Sequence, residues 1–227
     1  MRRDTLRNRR QLIRSAVTLL EDPGRQVSLT DIANHAEVSP ATAYRQFASV
    51  EEILDAFRSD VGSQLLEFSR HQTGSGEQRL AAVSRYWVEL VLHHGAAMVQ
   101  HRSPRGYLER LWHDTGYLEV QADSVRLPLA EAMADWGLRD IGDEAVFLWN
   151  ILFDPREIFD LRNTVGLSAT QIGTQLLAAL RGALQGWAAA RAGRPAIKRA
   201  KPRASAPAPL SSSNGSSIRE ASGSTVP

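Results

Sequence analysis

The sequence has no cysteine. That excludes structural disulfides and thiolate metal sites, and it fits a reducing compartment. Lysine is almost missing as well, since Lys198 and Lys201 near the C-terminal end are the only two. No apolar run approaches the roughly 18–20 residues that a membrane span needs. Strand-like alternation, a hairpin signal between apolar stretches and an internal repeat are all lacking, so every periodic segment reads as helix and the fold class is all-α. The first twenty residues are Arg-rich and amphipathic, a composition shared with organelle transit peptides. They lack the apolar stretch and cleavage site of a secretory signal, and a helical pattern runs straight on from them.

What is present supports a folded chain. Hydrophobic residues make up 43% of the sequence, enough to bury a core. The net charge is only +2, but it is unevenly placed. Residues 1–14 hold six arginines against Asp4, and residues 192–227 hold six Lys or Arg against Glu220, so the stretch between them is acidic. Two basic ends around an acidic body point to a polyanionic partner at one or both ends.

The chain divides into four parts. Residues 1–49 are expected to form a helical head, 50–72 a connecting helix, 77–191 a helical body and 192–227 a basic tail. The tail is rich in Pro, Ala, Ser and Gly and poor in large apolar residues, so it reads as disordered. Thr73-Gly74-Ser75-Gly76 breaks the pattern between connecting helix and body.

In the head, Leu6, Ile13, Ala16, Val17 and Leu20 share a face of a first helix that Pro23-Gly24 ends. Ser28 caps a second helix carrying Ile32, Ala33 and Ala36, with Asp31 in its first turn. Ser39 caps a third, with Pro40 at the position where a missing N–H costs nothing. Ser49-Val50-Glu51-Glu52 is a capping box for a fourth, which carries Ile53, Leu54, Phe57, Val61, Leu65 and Phe68. Two short helices about three residues apart, with Ala33 and Ala36 at the crossing and Val38 in the turn, make a helix-turn-helix.

The second helix of such a pair enters the major groove, which would expose Ala41, Thr42, Arg45 and Gln46 to base edges. Arg45 suits guanine O6 and N7, or else a phosphate; Gln46 suits adenine or, more readily, the backbone. Thr30, Ser39 and Tyr44 are candidates for phosphate contacts. The Arg2, Arg3, Arg7, Arg9 and Arg10 cluster would add attraction independent of sequence, with Arg3 and Arg9 as the chosen candidates.

The ordered run Leu29-Thr30-Asp31-Ile32-Ala33, Ala36-Glu37-Val38-Ser39, Thr42-Ala43-Tyr44-Arg45-Gln46-Phe47 and Ser49-Val50-Glu51-Glu52-Ile53-Leu54 resembles the TetR-family signature. Three positions depart from it: Glu37 stands for the usual Gly, Gln46 for the usual His and Val50 for the usual Lys. The Glu37 departure predicts a residue at positive φ at about 1 kcal/mol.

The resemblance implies a helical body that binds a small effector and dimerises. It also implies a cytoplasmic, nucleoid-associated regulator that is no enzyme and uses no cofactor. An apolar or aromatic ligand is expected, lined by Trp87, Tyr107, Trp112, Trp149 and Phe153. A last helix capped by Ser168 is expected to form the homodimer interface through Leu176, Leu180, Gly182, Ala183, Leu184 and Trp187. Asp143 to Asn163 reads as a single helix kinked at Asp154-Pro155.

His93, His94, His101 and His113 raise a metal site, but Gly95 and Ser103-Pro104 interrupt them and no HExxH spacing is present. The leading expectation is a repressor released from a palindromic operator on double-stranded DNA by that ligand, with no membrane partner. The alternatives are an architectural DNA-binding protein without an effector and a helical enzyme using the body histidines.

Overall fold

The computed structural model describes residues 2–21, 26–99, 105–113 and 116–191, with side chains from Asp4 onward. The expected basic tail, Pro23-Gly24, His101 and Ser103-Pro104 lie outside the described residues. The described chain is helical throughout: α1 (Arg2–Leu19), α2 (Leu29–His35), α3 (Pro40–Gln46), α4 (Val50–Arg70), α5 (Gly76–His94), a 3-10 turn (Gly95–Met98), α6 (Tyr107–His113), α7 (Tyr117–Asp135), α8 (Asp143–Leu152), α9 (Pro155–Asn163) and α10 (Ala169–Ala190).

Local chemistry sets the starts of these helices. Ser28, Ser75 and Ser168 each close a reciprocal capping box, with Asp31, Gln78 and Gln171 respectively. At Ser49 the expected box is only half made. Ser49 accepts the Glu52 N–H, but the Glu52 carboxylate takes the Ala48 N–H at 2.6 Å, tying the start of α4 to the chain leaving α3.

The Asp143–Asn163 segment is two helices and not one kinked helix. Phe153 caps the end of α8, and Asp154 caps α9 by accepting the Arg156 N–H, with Pro155 in the first turn. A proline that ends one helix is also well shaped to begin the next.

The core of the body is α7 packed against α4 and α5; α10 packs on α5 and on α8, and α8 also meets α7. Pro128 sits buried inside α7. Its ring removes the N–H that would bond the Ser124 carbonyl four residues back. Ser69 on α4 supplies a replacement, its buried hydroxyl donating to Ser124 O at 2.6 Å. Gly76 marks another close approach. A Cβ there would lie 2.2 Å from the Glu131 carbonyl carbon and 2.4 Å from the Ala132 nitrogen, so the first turn of α5 meets α7 backbone directly.

Candidate DNA-binding surface and central cavity

The first three helices, α1 to α3, pack through Leu12, Ala16, Ile32, Ala33, Ala36, Ala43 and Phe47, all essentially inaccessible. Alanines at 33, 36 and 43 let α2 and α3 cross closely. The turn between them holds Glu37 at φ +54°, the non-glycine residue of the described chain at positive φ. Half-buried Val38 follows, packs against the core and bonds back through its N–H to Ala33 O at 3.0 Å.

α3 is capped by Ser39, whose hydroxyl accepts the Thr42 N–H and donates to Thr42 Oγ1 at 3.0 Å. Arg45 Nη2 donates to the same Thr42 oxygen at 2.9 Å, which sets the guanidinium along the outer side of α3. Thr30, Ser39, Ala41, Tyr44 and Arg45 are exposed, and Thr42 and Gln46 are half-buried. Tyr44 at 58% exposure is among the most exposed large side chains of the described chain.

Arg9 is placed differently. It is half-buried, with its guanidinium carbon 4.3 Å above the Phe47 ring and Nη1 3.5 Å from Gln46 O. It therefore ties α1 to the end of α3 by a cation–π contact. The Arg3 side chain lies outside the described part. Val50, where a lysine was the expected residue, is half-buried and packs against the core.

A cavity of about 330 Å³ lies in the body, walled by α4, α5, α6, α7, the end of α8 and the start of α9. Trp87 and Tyr107 line it, as do Leu118, Tyr117, Met98 and Pro155. Its charge is unexpected: Arg58, Arg105, Arg110 and Arg156 face it, against one carboxylate, Asp154, among the described residues of the wall.

Arg58 on α4 is well answered, by Glu51 at 3.0 Å and Asp55 at 2.8 Å. Burial alone would lower its pKa, but Tyr117, Glu51 and Asp55 together outweigh that and raise it. Arg110 Nη2 donates to the Tyr117 hydroxyl at 2.5 Å. Burial pushes the Tyr107 phenol well above its ordinary range, so it stays a neutral hydroxyl.

Two of the five residues expected to line a pocket belong to the core instead, and a third lies outside the cavity wall. Trp149 and Phe153 are buried and stacked on each other, ring centres 5.2 Å apart. The Trp149 indole N–H donates to Ser84 Oγ at 3.0 Å, and that of Trp87 to Phe153 O at 2.9 Å. Such satisfied N–H groups let indoles fill a core. Trp112 is absent from the cavity wall; its indole N–H donates to Asp143 at 3.0 Å. The cavity arginines are not legible in the sequence: Arg58, Arg110 and Arg156 come from α4, α6 and α9, and an arginine on a helix ordinarily reads as a solvated face.

The expected dimer residues also divide. Leu176, Leu180 and Leu184 recur every four residues with Ile172 and point into their own subunit, where they are buried against α5 and α8. They are not available to a second copy. Gly182 and Trp187 are exposed and Ala183 is half-buried. A Cβ at Gly182 or Gly186 would meet nothing within 4 Å. Trp187 donates its indole N–H to Glu144 at 2.7 Å, and exposed Ile151 lies on neighbouring α8. Among the described residues, no cluster of three or more His, Asp or Glu could hold a metal ion, and no helix is long and apolar enough to cross a membrane.

A capped, outward-facing third helix packed on its two predecessors is a helix-turn-helix, the arrangement that presents a helix to the major groove of DNA. Residues 12–57 match the model of the bacterial regulatory proteins of the tetR family. No curated protein matches it.

Among solved structures it is similar to the fatty acid degradation regulator FadR from Bacillus halodurans, at 18% identity and TM-score 0.59, covering 78% of this chain and 96% of that one. The ketosteroid transcriptional regulator KstR2 of Mycobacterium tuberculosis is similar at 22% identity and TM-score 0.53, with 78% and 94% covered. Thermus thermophilus FadR, solved in complex with lauroyl-CoA, is similar at 18% identity and TM-score 0.52, with 76% and 93% covered. At these identities the likeness speaks for the fold.

Proposed function

We propose that the chain is a homodimeric repressor that binds a near-palindromic operator and is released when a small molecule fills the cavity in its body. The observation that carries this reading is the pairing, in one chain, of an exposed capped α3 with a walled cavity against α4, the helix that follows the head directly. In this reading Arg45, Thr42, Ala41 and Gln46 face base edges. Thr30, Ser39 and Tyr44 take phosphates, and the basic end of α1, with Arg3, adds attraction that salt weakens. Arg9 acts by steadying α3.

Two copies meet through the outer faces of α8 and α10, where Ile151, Gly182, Gly186 and Trp187 are accessible. That pairing sets the two copies of α3 about 34–36 Å apart, or a multiple of it, to reach successive grooves. The setting is the cytoplasm. A ligand shifts the balance only by its differential affinity for the DNA-fitting and non-fitting arrangements.

Selection of bound sequences from a random DNA pool tests the reading. A two-fold symmetric motif is expected; recovery of sequences with no shared motif would overturn it. On the selected operator, Arg45→Ala should cost about 1–3 kcal/mol and relax preference at one base position. A uniform loss on all sequences would reassign Arg45 to a phosphate.

A further inference from the structure

Of the arginines facing the cavity, Arg58 already has two carboxylates within 3.0 Å. Arg110 and Arg156 differ from it. Arg110 is half-buried and donates to the neutral Tyr117 hydroxyl, and among the described residues no carboxylate pairs with it. The Arg156 Nε is buried and has no hydrogen-bond partner; the nearest carboxylate oxygen, Asp154 Oδ1, is 3.8 Å away. That oxygen is already engaged in capping α9, where it accepts the Arg156 backbone N–H at 2.9 Å.

A half-buried guanidinium with no paired carboxylate, as at Arg110, is costly, and so is a buried donor without an acceptor, as at Arg156 Nε. A cationic occupant would add repulsion, and an apolar neutral one would supply neither a counter-charge nor an acceptor. An oxyanion would relieve both, because the planar fork of arginine matches carboxylate and phosphate geometry. Neutral donors stand beside these cations in the Tyr107 hydroxyl and in Asn150 and Gln121. The rest of the wall, Trp87, Leu118 and Met98 among it, is apolar and suits a hydrocarbon or ring system.

We propose that the cavity takes an organic anion, a carboxylate or phosphate ester on an apolar body, whose charge is answered by Arg110 and Arg156. This deepens the reading of the cavity as the effector site and rests on it.

Calorimetric titration of the full chain with decanoate, decyl phosphate, decan-1-ol and decylamine tests the inference. At least one anion is expected to bind about tenfold or more tighter than the alcohol, with the amine weakest. Tight binding of decanoate alone assigns a free carboxylate; tight binding of decyl phosphate alone assigns a phosphate-bearing ligand. Arg110→Gln and Arg156→Gln should each erase most of the preference. Arg110→Lys, which keeps the charge, should retain it, and circular dichroism confirms that each variant is folded.

Equal or tighter binding of the alcohol or amine overturns the proposal. So does a preference that survives both glutamine variants, or failure of both anions to bind at about 1 mM. Operator release is measured separately. An anion that binds without freeing DNA sinks the effector reading and leaves the anion site standing. Release by decan-1-ol at equal affinity sinks the anion inference alone.

Discussion

The serine that services the proline in α7 invites a double-mutant cycle. Pro128 has no N–H to give the Ser124 carbonyl, and Ser69 reaches across from α4 to bond that oxygen at 2.6 Å in a site where Ser69 is 5% exposed. Ser69→Ala removes the donor and strands a buried acceptor, which should cost about 1–3 kcal/mol. For a chain of this size that is a loss of about 2–4 °C in Tm for each kcal/mol. In a Pro128→Ala background the helix regains its own N–H for Ser124, so Ser69→Ala should then cost at least about 1 kcal/mol less. Thermal and urea unfolding at one fixed protein concentration measure all four corners of the cycle. If the cost of Ser69→Ala is the same in both backgrounds to within about 0.3–0.5 kcal/mol, the serine is not compensating the proline and the reasoning fails.

Two further outcomes follow from other sites. Glu37 is exposed and sits at φ +54°; Glu37→Gly relieves roughly 1–2 kcal/mol of left-handed strain and gives back roughly 0.4–1 kcal/mol to the freer unfolded chain. A small net gain in unfolding free energy is expected over both wild type and Glu37→Ala, and a Gly variant no more stable than the Ala variant would refute it. Burial, and after it neighbouring His93, lowers the pKa of His94 from the ordinary 6.5. The folded state then binds fewer protons than the unfolded one just below that value, so His94 contributes stability above pH 6.5 that is lost as the pH falls through the lowered folded value. Unfolding free energy measured across this window should slope downward with acid more steeply in wild type than in His94→Gln; parallel profiles would exclude His94 as the source.

How much of this was legible in the sequence depended on range. The head could be read because its instructions are local. Ser28 and Asp31, or Ser39 and Pro40, act within one turn, and Glu37 in the place of a glycine foretold the positive φ. The body was less readable because its decisions are tertiary. Trp149 and Phe153 have the chemistry of pocket walls, and only the packing of α5 against α8 makes them core. Leu176, Leu180 and Leu184 are an apolar stripe of the kind that could face inward or toward a second copy; the arrangement of α5 and α8 decides it. Asp154-Pro155 reads as a kink, but whether a proline bends a helix or starts a fresh one depends on the acceptors nearby. The electropositive cavity gathers Arg58, Arg110 and Arg156 from three helices, and no sequence spacing brings them together.

The continuity of α4 has a mechanical consequence. Its 21 residues form one unbroken rod about 30 Å long. Gly62, near its middle, touches the cavity wall, and its first turn is fastened to the end of α3 through Ala48 and Glu52. Twelve residues separate Gly62 from Val50, an arm of about 18 Å. A swing of only about 10° around that fulcrum would carry the near end of the rod by roughly 3 Å. On two arms moving oppositely, the change in separation would be a sizeable fraction of a groove width.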